Sequence, residues 1–169
     1  MIDITKEFIT YSAAENKAKV IIKKFEGLRL QAYICPSNII TIGYGSTYDY
    51  SKNRKIQIGD KITLKEAEYL LLDEIIKVRR KITDLVKVPL NDNQLAALIS
   101  FCFNVGTGAF SKSRMLKLIN TNNYSEAANE FSRWIYGKGS KKLVLRGLVT
   151  RREAEKQLFI QNESEIGQN

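Results

Sequence analysis

The sequence predicts an α+β fold, predominantly α, in one chain of two lobes. Three observations carry this. Apolar residues recur at helical spacing over most of the chain. One segment, reaching to about Ile58, carries short β-rich runs broken by turn residues instead. One helical stretch is long enough to join a small lobe to a larger one. With 169 residues, 44% of them apolar and only 2 Pro, the chain can bury one substantial core or two small adjoining ones.

Taken in order, the first helix runs from about Ser12 to Glu26, where Ala14, Ala18, Ile21, Ile22 and Phe25 form an apolar stripe and Gly27 sits where a helix would end. Tyr33, Ile39, Ile40, Ile42 and Tyr44 then belong to short strands interrupted by CPSN and GYG, a small hairpin or three-stranded sheet. Thr63 and Glu66 form a T-x-x-E capping box, followed by Ala67, Leu70, Leu71, Ile75, Val78 and Ile82 on one face of a long connecting helix, residues 63 to 83. Asn91 and Gln94 repeat the cap signal before Leu95, Leu98, Ile99, Cys102 and Phe103. Further helices are expected over 113 to 120, 125 to 136 and 149 to 160. Residues 18 to 62 then make the small lobe together with the N-terminal helix, residues 84 to 160 the helical lobe, and 161 to 169 a polar tail that frays.

Composition narrows the function classes. Lys+Arg 27 against Asp+Glu 18 gives a formal charge of +9, which favours polyanionic partners: nucleic acid, anionic lipid or an acidic wall polymer. The absence of His removes the commonest metal ligand and the commonest general base, so acid-base work falls to carboxylates, and neither a metal nor a cofactor is expected. Two cysteines are too few for a disulfide framework. No apolar run at the N-terminus has the length of a signal-peptide core, and none in the chain approaches the ~20 residues of a membrane span. The expected site of synthesis is therefore the cytoplasm, without an anchor.

Glu26-G-L-R-L, Tyr33, Cys35, Thr41 and the I-G-Y-G that follows carry a resemblance. The run of Glu, eight residues, Cys, five residues, Thr resembles the signature of the phage T4-type lysozymes, in which the middle position is Asp or Cys. FCFNVGTGAF at 101 to 110, Trp134 and G-L-V-T-R-R-E-A-E ending at Glu155 extend the likeness over roughly residues 18 to 160. What the resemblance implies is a lysozyme-like α+β fold with a cleft between two lobes. The implied activity is that of an endolysin muramidase, cutting the β-1,4 bond between N-acetylmuramic acid and N-acetylglucosamine in peptidoglycan.

Glycoside cleavage needs a proton for the departing oxygen and a group on the other side that orients water or stabilises the cationic centre. Glu26 is the natural acid. The negative end of its helix and a facing arginine pull its ionisation in opposite directions, and the resemblance puts Arg151 in the arginine's place. Thr41 could hold the attacking water, while Gly43 and Gly45 would let the backbone approach the sugar. Cys35 stands where the resembled signature has Asp or Cys. An ordinary thiol with pKa ~8.5 is only about 3% ionised at pH 7, so Arg29 or the basic field is expected to lower it. Three readings of Cys35 stay open: a working thiolate that activates water or attacks the anomeric carbon, an inert buried cysteine, or an engineered substitution.

By the same resemblance Tyr44, Phe103 and Asn104 join Gly43, Gly45 and Arg151 in contacting substrate. Arg152 reads as part of a solvated basic face and Trp134 as core. Leu28 stands where some membrane-tethered relatives carry a caging cysteine, and Cys102 lies on an apolar helix face, so disulfide regulation is not expected. The expected partners are peptidoglycan and a separate holin-type pore protein for release, with the chain a monomer. The competing classes are a lysozyme-like domain that has lost catalysis and binds glycan or protein, and a nucleic-acid-binding protein. No motif with readable geometry supports the last.

Overall fold

The computed structural model describes residues 12–137 and 143–161; the expected frayed tail beyond Gln161 lies outside them. Helix α1 (Ala13–Glu26) opens with a Ser12–Glu15 capping box and ends at Gly27, whose φ of 70° suits glycine. Strands β1 (Arg29–Ile34) and β2 (Ile40–Gly43) form an antiparallel hairpin, pairing Tyr33 with Thr41 and Ile34 with Ile40. A second hairpin joins β3 (Tyr48–Asp49) and β4 (Arg54–Lys55). Gln31 also bridges to Lys61. The β region is thus two short hairpins with isolated bridges beside them, rather than a single three-stranded sheet.

Helix α2 (Leu64–Leu85) carries the expected Thr63–Glu66 capping box and is the long connector, ending two residues later than read from the sequence. Helix α3 (Asp92–Val105) starts at the Asn91–Gln94 box, and residues 96 to 102 are all buried. A helix enclosed on every side loses its polar face, and α3 packs against α1, α2, α7 (Arg146–Ile160) and the short α4 (Thr107–Ser111). Helices α5 (Arg114–Asn120) and α6 (Tyr124–Glu130) complete the helical body. The expected helix over 125 to 136 instead breaks into α6 and a 3-10 turn, Phe131–Arg133. Trp134 lies just beyond that turn, half-buried, its ring edge-on to Phe101 at 5.3 Å.

The expectation that α1 goes with the small lobe needs correction. Its Ala14, Ala18 and Ile22 are buried, and its main packing partner is α3. Lys17 Nζ also donates to Asn93 Oδ1 of α3 at 2.6 Å. The first helix therefore belongs to the helical body, and its C-terminal end delivers Glu26 between that body and the hairpin that follows.

Candidate active site

Glu26 is the last residue of α1, and one of its oxygens is held from the far end of the chain. Arg151 Nη1 of α7 donates to Glu26 Oε1 at 2.6 Å. The other oxygen, Oε2, faces Gly45: a Cβ built on Gly45 would stand 3.8 Å from it. Gly45 is exposed with φ 104°, and Ile42 and Ser46 exchange backbone hydrogen bonds of 2.9 Å across the turn containing it. The turn needs left-handed backbone at both Gly43 and Gly45, which L side chains rarely accept. Its tight closure brings bare backbone, rather than a side chain, against the carboxylate.

The guanidinium is fixed on its remaining sides. Arg151 Nε donates to Glu155 Oε1 at 3.1 Å, and Nη2 donates to the Ser100 carbonyl at 3.2 Å. Arg151 is 3% exposed, while Glu26 keeps 24% of its side chain open. The pair is thus a buried cation presenting a half-open carboxylate. Arg152, one position on, is also interior at 1% exposed. The expectation that Arg152 lies on a solvated face is overturned: on α7 it turns inward, Nη1 lying 2.8 Å from Glu155 Oε2, Nη2 donating to Asn104 Oδ1 and the guanidinium 5.0 Å from the Phe101 ring centre. Burial lowers Arg152 from its ordinary value, opposed first by the charge of Glu155. Burial likewise raises the Glu155 carboxyl, opposed by Arg152 and then Arg151.

Cys35 opens the turn between β1 and β2. Its N–H donates to the Ile39 carbonyl at 2.9 Å, the Asn38 N–H donates to the Cys35 carbonyl at 2.8 Å, and Asn38 takes the left-handed conformation at φ 58°. This compact loop turns amides onto the sulfur. The Ile39 N–H is the largest influence and lowers the thiol below its ordinary range; partial desolvation opposes it, and the Ser37 N–H and the Thr41 hydroxyl reinforce it. The cause differs from the expected one. Arg29 is instead spent on the Tyr33 ring, 4.6 Å from its centre. Cys102, by contrast, is fully buried and its thiol is pushed far up by desolvation. Both cysteines are free.

Thr41 is paired with Tyr33 across the hairpin, is 6% exposed, and its hydroxyl reaches the Tyr33 carbonyl at 3.5 Å besides the Cys35 sulfur. Cys35 and Thr41 therefore meet, and Glu26 meets Gly45 on the turn just after β2. Asn104 is half-buried with its carbonyl oxygen engaged by Arg152, and Phe103 is half-buried against the core. Two residues expected to touch substrate face elsewhere. Tyr44 is 5% exposed, its hydroxyl donating to Glu68 Oε1 at 3.2 Å with Lys23 over its ring. Gly43 is buried, and a Cβ there would meet Ile62 and Ala67 at 3.5 and 3.6 Å. Its missing side chain lets β2 pack on α2.

Sequence reasoning passed over Ser100 and Glu155. The signal was present: Glu155 lies three residues after Arg152 and four after Arg151, the spacings at which helical side chains meet.

Among known proteins, residues 23–155 match the family model described as phage lysozyme. An endolysin of Acyrthosiphon pisum secondary endosymbiont phage 1 is 43% identical over 145 residues, covering 85% of this chain and 95% of that one. The muramidase domain of SpmX from Asticaccaulis excentricus superposes with a TM-score of 0.78 at 34% identity, covering 90% of this chain and all of that one. An endolysin from Escherichia coli O157:H7 phage FAHEc1 gives a TM-score of 0.78 at 33% identity, covering 86% and 91%. With a family match across most of its length and an acid–arginine pair assembled from its two ends, the chain belongs to the phage lysozyme family.

Proposed function

We propose that the protein is an endolysin muramidase that hydrolyses the β-1,4 bond between N-acetylmuramic acid and N-acetylglucosamine in bacterial peptidoglycan. The observation that carries this is the Glu26 carboxyl, gripped on Oε1 by Arg151 while Oε2 faces the open Gly45 turn. A carboxyl held on one oxygen has a fixed direction for the other. Glu26 Oε2 is the proton donor to the leaving glycosidic oxygen. The Cys35 thiolate, formed more readily because the turn amides face it, is the base. Thr41 and the sulfur together offer a water two hydrogen-bond partners, which favours water activation over direct attack on the sugar.

The step balances as follows. Water adds to the anomeric carbon, the bond to the leaving oxygen breaks, the Glu26 proton passes to that oxygen and the water's proton passes to the thiolate. Glu26 then recovers a proton, and Cys35 loses one, by exchange with solvent. A single displacement inverts the anomeric centre, so NMR of fresh product should show the α anomer first.

The decisive test is turbidity clearing of purified peptidoglycan by the wild type and Glu26→Gln. Clearing by the wild type and its loss by at least ~100-fold in the variant is the expected result. No clearing by either protein would favour a glycan-binding domain without catalysis. Release through a separate pore protein belongs to the same proposal. Among the described residues no helix is long and apolar enough to cross a membrane. Co-expression with and without a holin, followed by the timing of lysis, tests it.

A further inference from the structure

Glu155 is 0% exposed and touches no surface that a glycan could reach, yet its two oxygens face three polar partners. Oε1 accepts from Ser100 Oγ at 2.7 Å and from Arg151 Nε at 3.1 Å. Oε2 lies 2.8 Å from Arg152 Nη1, close enough for an ion pair but not aligned for a hydrogen bond. A buried carboxylate set between two buried arginines is costly unless the cluster serves as a unit. Two members of that unit reach beyond it: Arg152, through Nη2, to Asn104, and Arg151, through Nη1, to Glu26.

We infer that Glu155 is a positioning residue for the acid, setting the angle at which Arg151 meets Glu26. The inference rests on Glu26 being the acid. It follows from the three directions in which Arg151 is tied, since losing the Nε contact frees the guanidinium to rotate about the bonds that remain.

The test compares wild type, Glu155→Gln, Glu155→Asp and Ser100→Ala on peptidoglycan, with kcat, KM and melting curves. In Glu155→Gln kcat should fall about 10-fold with KM changed less than about two-fold. Glu155→Asp keeps a carboxylate for Arg151 but on a shorter stem, so it should recover part of kcat, and Ser100→Ala, which loosens Glu155 alone, should lower kcat a few-fold. A folded Glu155→Gln with the kcat of the wild type, or with activity lost only in step with melting temperature, would overturn the inference. If that variant does not fold, the Asp and Ala variants decide by the same split of kcat against KM. Retained clearing by Glu26→Gln would instead remove the acid assignment itself, whatever Glu155→Gln does.

Discussion

The chemistry of Cys35 is set by the turn that holds it rather than by a neighbouring charge. Amides of Ile39 and Ser37 directed at the sulfur lower the thiol, so thiolate accumulates below the pH range of an ordinary cysteine. The sign is direct: lowering the pKa moves the rise in base concentration to lower pH. Clearing should therefore climb as pH rises from about 6 toward about 8.5, whereas Cys35→Asp should already be at its plateau near pH 6. Superimposable profiles would remove the thiolate from the mechanism. The two cysteines also separate cleanly. Cys102 is 1% exposed with its thiol pushed up, so a maleimide at about pH 7.5 should label Cys35 alone and abolish clearing in step with labelling.

At the scale of elements, capping fixes where helices begin, and the boxes at Thr63–Glu66 and Asn91–Gln94 were legible because cap chemistry is local. Thr63→Ala should cost α2 about 1 kcal/mol, read by chemical denaturation. Helix α7 was legible less sharply. It begins at Arg146, three residues before its expected start, because Leu145 gives no side-chain cap to announce it. Its inward face was misread for a related reason: Arg152 looks solvent-bound until Asn104 of α3 is seen beneath it, and only the packing of α7 on α3 supplies that. The β3–β4 hairpin is pinned by a paired arginine fork. Arg54 Nη1 and Nη2 each donate to Asp60 at 2.9 Å, and with the Gln57 N–H they hold the Asp60 carboxyl at about 2. A depressed carboxyl contributes stability above its unfolded value near ~3.9 and loses it as pH falls toward the folded one. The melting temperature of Asp60→Asn should thus fall less between pH 4 and pH 2 than that of the wild type.

For the whole molecule, α3 is the axis on which the rest is assembled. Phe101 at its centre meets Phe131 and Trp134 at 5.3 Å each and Phe110 at 6.4 Å, and lies under the Arg152 guanidinium. Phe101→Ala should cost about 3–5 kcal/mol and lower the melting temperature of the entire protein, since this one ring supports both the aromatic core and the floor of the charge cluster. The formal charge of +9 acts at the same scale. Attraction to an anionic wall is screened by salt, so clearing should slow several-fold between ~50 mM and ~300 mM NaCl, with soluble oligosaccharide cleavage much less affected. Of this architecture, the helix–hairpin–helix order was legible from periodicity. The grouping of α1 with the helical body was not, because an apolar stripe tells a helix to pack without telling it on what.

Glu26 and Arg151 stand 125 positions apart, and that separation has a consequence for the order of synthesis. A ribosome therefore releases the glutamate long before the arginine. Until α7 emerges and docks, the nascent chain has a carboxylate with no guanidinium to orient it, and the pair comes into being only once the helical body has closed around it.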